Sequence, residues 1–322
     1  MYGIKVENYG GPEVLKLSEI SLPNPSPNEV LVKVKAIGVN FVDIYQRKGL
    51  YPEKLPFVLG REGAGVVEAV GSNVSSVKVG DRVGWAGTMG SYATHVLVQE
   101  ESLVRLPEKI SFEEAAAILL QGMTAHYLSH ATYPLKPGDS CLVHAAGGGV
   151  GQLLCQMAKM RSAFVIGTVS SQEKAELAKA AGADAVILYT QEDFALEVRK
   201  ITHGKGVNVV YDSVGKNTFE KSLDALAIRG YLVLFGQSSG PVPPFDAQIL
   251  NAKGSLFLTR PTLAHYTKTR EELLERANFV FDTLLSGKLK LRIDRTFPLA
   301  EAREAHNYLE SRKATGKILL IP

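Results

Sequence analysis

Ser140-Cys141-Leu142-Val143-His144-Ala145-Ala146-Gly147-Gly148-Gly149-Val150-Gly151 is a short apolar run, a glycine cluster and then helix-forming residues as far as Met160. The run reads as a strand that enters a tight turn and opens a helix. Such a turn presents backbone N–H groups and the positive end of the helix to one point, where a pyrophosphate is the natural occupant. Gly148 leaves room for close backbone approach, and Gly151 lets the helix pack on the strand. Ala146 stands where the usual G-x-G-x-x-G has its first glycine, so the flanking sequence has to carry part of the argument.

Downstream, short apolar runs alternate with helical patterns. The sequence predicts helix Val150–Met160, strand Ala163–Val169, helix Gln172–Ala181, strand Ala185–Leu188, helix Glu192–Thr202, strand Val207–Asp212, helix Thr218–Ala227 and strands Gly230–Phe235 and Ser255–Leu258. That alternation predicts a doubly wound parallel sheet, the Rossmann arrangement. Upstream, residues 1 to about 120 read as strands and turns. Leu31 to Ala36 alternates apolar and polar residues, Ala64 to Gly71 reads similarly, and prolines 23, 25 and 27 mark a loop. Ser111 is placed to cap a helix over Phe112–Tyr127. Beyond the Rossmann segment come an amphipathic helix over Arg270–Ser286, a strand near Thr296, a helix over Ala300–Ser311 and a strand over Lys317–Ile321. This tail is too small to fold alone. The expected α/β architecture is therefore a Rossmann domain, residues 121–261, inserted in a mostly β domain built from 1–120 and 262–322.

Composition narrows the function classes. The 322 residues are 45% hydrophobic and 21% charged, with a net charge of +3. That balance is ordinary for a globular protein and offers no basic stripe for nucleic acid. No long apolar segment or signal sequence appears, which predicts a cytoplasmic protein without membrane attachment. The two cysteines, Cys141 and Cys155, lie in apolar surroundings and read as reduced, buried residues. His126, His130 and His144 have no partner carboxylate in view to make them general acids, and Asp212, at a strand end, reads as the cap of the following turn.

The end of the second Rossmann strand selects the cofactor. An NAD site places Asp or Glu there for the ribose 2′-hydroxyl. This chain has Ser170-Ser171 and then Lys174. Hydroxyls and a cation suit a 2′-phosphate, so NADPH is the expected cofactor, although Lys174 also reads as a solvated helix residue.

These segments, together with Gly38-Val39-Asn40-Phe41-Val42-Asp43, Pro56-x-x-x-Gly60-x-Glu62-x-Ala64-Gly65, Val210 to Gly215 and Phe235 to Gly240, resemble the medium-chain dehydrogenase/reductase superfamily. Within it the likeness is to the quinone oxidoreductase, zeta-crystallin-like branch, and it covers nearly the whole chain. The resemblance implies a GroES-like catalytic domain and a homodimer, for which an apolar edge strand such as Ser255–Leu258 is suited. It also implies that Asn40, Asp43, Tyr45 and Tyr51 form the active-site segment, although the two tyrosines also read as ordinary loop aromatics. Thr124 resembles the nicotinamide-contacting threonine. Gly148, Gly149, Val150, Gly151, Phe235, Gly236 and Ser238 match the dinucleotide loops, and Lys174, Tyr189 and Arg312 resemble the group that grips the 2′-phosphate with Ser170.

Zinc-dependent members ligate metal through a Cys and the His of Gly-His-Glu. The corresponding positions here are Asn40 and Arg61, which predicts no metal. Without a Lewis acid, an electron-poor acceptor is expected: a quinone, with an enone or alkenal as the rival, in the cleft between the domains. A nucleotide-binding protein with a structural or RNA-binding role is the alternative of a different class. Gln121 and His126 replace the usual Lys and Gln, and Met160-Arg161-Ser162 replaces Ala-Leu-Gly.

Overall fold

The computed structural model describes Met1–Pro322, which form two compact units, Met1–Met123 with Thr267–Pro322 and Thr124–Tyr266. In chain order the first unit holds β1 (Tyr2–Val6), β2 (Lys16–Glu19), β3 (Glu29–Val39), α1 (Phe41–Arg47), β4 (Phe57–Val58), β5 (Glu62–Val70), β6 (Arg82–Ala86), β7 (His95–Gln99) and β8 (Val104–Arg105). Helix α2 (Phe112–Tyr127) leads into the second unit. There follow β9 (Ser140–His144), α3 (Gly149–Met160), β10 (Phe164–Val169), α4 (Gln172–Ala180), β11 (Ala185–Leu188), α5 (Phe194–Ile201), β12 (Val207–Asp212), α6 (Phe219–Ala225), β13 (Leu226–Leu234), α7 (Gln248–Ala252), β14 (Phe257–Thr259) and α8 (Leu263–Tyr266). The chain then returns to the first unit with α9 (Arg270–Leu285), β15 (Ile293–Pro298), α10 (Ala302–Glu310) and β16 (Lys317–Ile321).

The second unit is a parallel sheet in the order β11-β10-β9-β12-β13-β14. The strand order reverses between β9 and β12, and a doubly wound sheet opens its ligand crevice at the carboxyl ends of the strands flanking such a reversal. Its core is aliphatic on both faces, with Leu142, Ile166, Val210 and Leu232 fully buried on one and Val143, Val165, Val209 and Val233 on the other, as expected of strands covered by helices.

The first unit is mostly antiparallel. Its larger sheet runs β15-β16-β3-β5-β6-β8, with β7 also on β3, and a smaller one runs β2-β1-β4. The carboxyl-terminal β16 pairs with β3, Ile318 opposite Val39, so the tail completes the N-terminal β domain. The Rossmann insertion in a GroES-like β domain is thus the observed fold. Ser111 caps α2 as expected: its Oγ accepts the Glu114 amide (3.0 Å) and its own amide donates to the Glu114 carboxylate (2.8 Å). No helix is long and apolar enough to cross a membrane.

Two local expectations change. The β half contains a helix, α1, because the Asp43 carboxylate accepts the amide of Asn40 (2.8 Å) and closes the first turn. Helix α6 ends at Ala225 rather than Ala227, because Leu226 is drawn extended into the core, where it pairs with Val207 on β12.

Candidate functional site

In the second unit the functional groups gather at the carboxyl ends of β9 and β10. Gly148 is the N-cap of α3, and no carboxylate stands in the helix's first turn. The amides of Gly149, Val150 and Gly151, as first-turn residues, have no intrahelical acceptor. Gly148, Gly149 and Val150 are half-buried rather than sealed. A β-carbon on Gly151 would stand 2.2 Å from the Ala145 carbonyl oxygen, so only glycine lets α3 sit this close to the loop. On Gly148 it would meet only that oxygen, at 3.2 Å, leaving the outer side of the loop open. An anion fits this set of donors.

Lys174 lies directly against the loop: a β-carbon on Gly147 would be 2.8 Å from Lys174 Cβ. Ser171 Oγ accepts the Lys174 amide and holds the start of α4 (3.4 Å). Ser170 follows β10, and its carbonyl accepts from the Thr190 hydroxyl beside Tyr189, which is itself exposed. The fold therefore brings Ser170, Lys174 and Tyr189 to one edge. Arg312 is exposed in the loop after α10, in the first unit. Phe235 and Gly236 donate their amides to the Asp212 carbonyl, and Ser238 donates to that of Ser213, so the loop after β13 lies on the loop after β12. Thr124 is buried on α2.

A buried network fixes the three strand ends. Asp212 Oδ1 accepts the amides of Val214 (2.7 Å) and Gly215 (3.0 Å), which is the turn cap its position predicts. Its Oδ2 accepts the hydroxyls of Thr218 (2.7 Å) and Ser222 (3.1 Å). With its proton spent on Asp212, Ser222 accepts from His144 Nε2 (2.9 Å), and His144 Nδ1 accepts from Thr168 Oγ1 (2.8 Å). Burial pushes the His144 pKa down, in keeping with a neutral ring. His144 is thus a strut between β9, β10 and α6. Cys141 and Cys155 are buried, free and pushed up by desolvation.

In the first unit the segment of Asn40, Asp43, Tyr45 and Tyr51 is tied to groups from distant parts of the chain. Asn40 Nδ2 donates to Glu62 Oε2 (2.9 Å) and to the Gly38 carbonyl (3.2 Å), while its Oδ1 accepts from Lys317 Nζ (2.7 Å). Lys317 also pairs with Glu62 at 2.5 Å, and both side chains are wholly buried. Glu62 Oε1 accepts the Leu120 amide of α2 (2.6 Å). Asp43 Oδ2 accepts the hydroxyl of Tyr92 (3.0 Å), and Oδ1 has no partner. Tyr92 and Arg47 bracket His306, with contacts of 3.1 Å at Nε2 and 3.1 Å at Nδ1. Desolvation, opposed by its hydrogen bonds and Lys317, raises the Asp43 pKa to about 7. Desolvation and the neighbouring Arg47 and Lys48 charges push His306 down to about 3.

Tyr45 and Tyr51 meet edge-on, ring centres 5.3 Å apart; Tyr45 is nearly buried and Tyr51 is 37% exposed. Sequence reasoning singled out Asn40 and Asp43 but not Lys317, Tyr92, Arg47 or His306. Glu62 stood in the quoted motif without a role. Nothing in a single sequence marks which lysine or histidine will be buried; Lys317, in an otherwise apolar strand, was the one available signal.

Comparison with known proteins places both halves. Residues 26–108 match the family model described as alcohol dehydrogenase GroES-like domain, and residues 149–277 match that described as zinc-binding dehydrogenase. A quinone oxidoreductase of Pseudomonas aeruginosa is 50% identical over 321 residues, covering 99% of each chain. A 2-haloacrylate reductase of a Burkholderia species is 43% identical, covering 98% of each. The crystal structure of Escherichia coli quinone oxidoreductase complexed with NADPH superposes with a TM-score of 0.98 at 48% identity over 100% of both chains. The likeness runs the full length of the chain and through both units, so this chain belongs to the quinone oxidoreductase branch of the medium-chain dehydrogenase/reductase superfamily.

Proposed function

We propose that this protein is an NADPH-dependent quinone reductase that works without zinc. The observation that carries the cofactor is the seating of Lys174 against Gly147, at the open, carboxylate-free start of α3. The amides of Gly149, Val150 and Gly151 take the pyrophosphate, with Gly148 giving it room. Ser170, Lys174 and Tyr189 take the 2′-phosphate, where a point charge and hydroxyls replace the carboxylate of an NAD site. Thr124 meets the nicotinamide, and the loop of Phe235, Gly236 and Ser238 walls the crevice. When bound, NADPH supplies the electrons of the reduction.

Tyr45 and Tyr51 hold the acceptor ring, the first as a packed base and the second as the exposed edge. Asn40 and Asp43 act behind them as positioning residues. Every hydrogen-bonding group of the Asn40 amide is already engaged, and Asp43 is sealed beneath α1. The same contacts support zinc independence despite the name of the matched family model. Asn40 Oδ1 is committed to an ammonium, and Arg61 offers a cation where a ligand lone pair is required.

The acceptor follows from the quinone oxidoreductase relatives. The 2-haloacrylate reductase favours a second reading, reduction of an activated double bond. Steady-state NADPH oxidation with 1,4-benzoquinone, phenanthrenequinone and an alkenal separates the two; turnover of the alkenal alone would sink the quinone reading. The protein works in the cytoplasm as a homodimer, with β14 as the pairing edge. That strand is outermost in its sheet, and Phe257 is half exposed while stacked on Tyr231 (4.5 Å). Sedimentation as a monomer would remove the dimer.

A further inference from the structure

Arg61, the residue before β5, is a guanidinium held on two sides. Its Nη2 donates to Glu53 Oε1 (2.8 Å) and its Nη1 to the Gly87 carbonyl (3.0 Å). The third nitrogen, Nε, is buried and its N–H has no acceptor. A buried donor without a partner is uncommon and costly in a folded protein, and asks what it is kept for. The arginine is not sealed in the core: its side chain is 30% exposed and that of Glu53 33%.

Through Glu53 this arginine is linked to the segments that carry the aromatic pair. Glu53 Oε1 also accepts Gln46 Nε2 (2.9 Å), and Gln46 is the neighbour of Tyr45 on α1. Glu53 follows Tyr51 by two residues, and Tyr9 pins its backbone through both N–H (2.8 Å) and carbonyl (2.5 Å). One carboxylate therefore ties together the α1 face beside Tyr45, the segment of Tyr51 and the guanidinium. It also cancels the arginine's charge, since Arg61 and Glu53 form an ion pair at 2.8 Å. A neutral pair can give a hydrogen bond to a carbonyl dipole, but it has little charge left to compensate the desolvation of a carboxylate.

We propose that Arg61 Nε–H donates to the carbonyl oxygen of the electron acceptor, and that Glu53, by neutralising Arg61, selects uncharged carbonyl acceptors over α,β-unsaturated carboxylates. The inference rests on the reading that Tyr45 and Tyr51 hold a quinone. Glu53 and Arg61 are acceptor-selecting residues, and the preference is set by one carboxylate.

The test uses the intact enzyme with saturating NADPH and two acceptors, 1,4-benzoquinone and 2-chloroacrylate. Glu53→Gln is isosteric, keeps an oxygen for Gln46 and Arg61, and leaves the arginine charge uncompensated. It should raise the ratio of kcat/KM for 2-chloroacrylate to that for benzoquinone at least tenfold. Arg61→Lys keeps the charge but loses the Nε donor, and should lower kcat/KM for benzoquinone about tenfold with KM for NADPH and Tm unchanged. An unmoved ratio in Glu53→Gln, or full benzoquinone activity in Arg61→Lys, would overturn the inference. So would equal loss toward both acceptors with a lowered Tm, the mark of a structural clamp. A wild-type enzyme inactive with benzoquinone would instead overturn the quinone reading on which the inference stands.

Discussion

The two candidate sites, one in each unit, are built from different materials. At the carboxyl ends of β9 and β10 the working parts are backbone: amides at the start of α3, glycines that let the chain approach, and side chains within 45 residues of one another, from Ala145 to Tyr189. Around Asn40 the working parts are side chains gathered from across the chain, with Lys317 reaching Asn40 over 277 positions and Arg47 reaching His306 over 259. A backbone site fails when an atom is added. A side-chain cluster of buried charges fails when one is removed.

The largest effect expected from breaking that contrast is at Lys317. Lys317→Met leaves the Glu62 carboxylate buried without its cation and should cost about 3–5 kcal/mol in urea unfolding. Adding Glu62→Gln should recover part of that loss, because the uncompensated charge is gone. If the single variant were as stable as wild type, the cluster would not be the anchor described.

On the backbone side, Gly151→Val puts atoms within 2.2 Å of the Ala145 carbonyl and 2.8 Å of Ala146 Cα. Neither can yield cheaply, and destabilisation of about 3 kcal/mol is expected in thermal melts. Gly148→Val should separate binding from folding, because its β-carbon meets only one atom, at 3.2 Å. Tm should be nearly kept while NADPH titration shows no binding; retained affinity would mean the pyrophosphate lies elsewhere.

Lys174→Ala is milder. Loss of one charge-assisted contact is expected to cost about 1.5–3 kcal/mol, a rise of roughly 10- to 150-fold in KM for NADPH, with KM for NADH little changed. Equal effects on both cofactors would remove the 2′-phosphate assignment.

The smallest effect is a pH dependence. Asp43, raised to about 7, favours the folded state below the ordinary carboxylate range, and that contribution is lost as pH rises toward 7. His306, lowered to about 3, contributes above the ordinary histidine value and loses it as pH falls toward 3. Between about pH 4 and 6.5 the two slopes oppose each other and nearly cancel. In Asp43→Asn only the histidine slope remains, so stability should rise with pH more steeply than in wild type, by about 1.4 kcal/mol per pH unit. Parallel stability–pH curves would contradict the buried pair.

The same contrast explains what could be read in advance. The Rossmann strands were predictable because each is a short apolar run beside a helix with its own period, and the glycine loop follows one of them directly. Ser170 and Lys174 were readable because they lie a fixed distance beyond that loop. Helix α1 was not, since its seven residues are too few to show a period and its start depends on Asp43 folding back onto Asn40. The partners of Asn40 and Asp43 were not legible either, since Lys317, Glu62 and Tyr92 reach them from distant parts of the chain.

By itself the sequence determined the βα alternation, the glycine loop and the absence of a carboxylate at the end of the second strand, while its resemblance to the dehydrogenase superfamily set Asn40 and Arg61 against the metal ligands of zinc-dependent members. These are local facts, written in residue type and spacing. Tertiary structure alone decided that Lys317 is buried between Asn40 and Glu62, that His144 is a strut, and that one donor of Arg61 is left without an acceptor. The reason is physical: a charge or a donor takes its meaning from what desolvates it and what meets it, and those neighbours are supplied by folding.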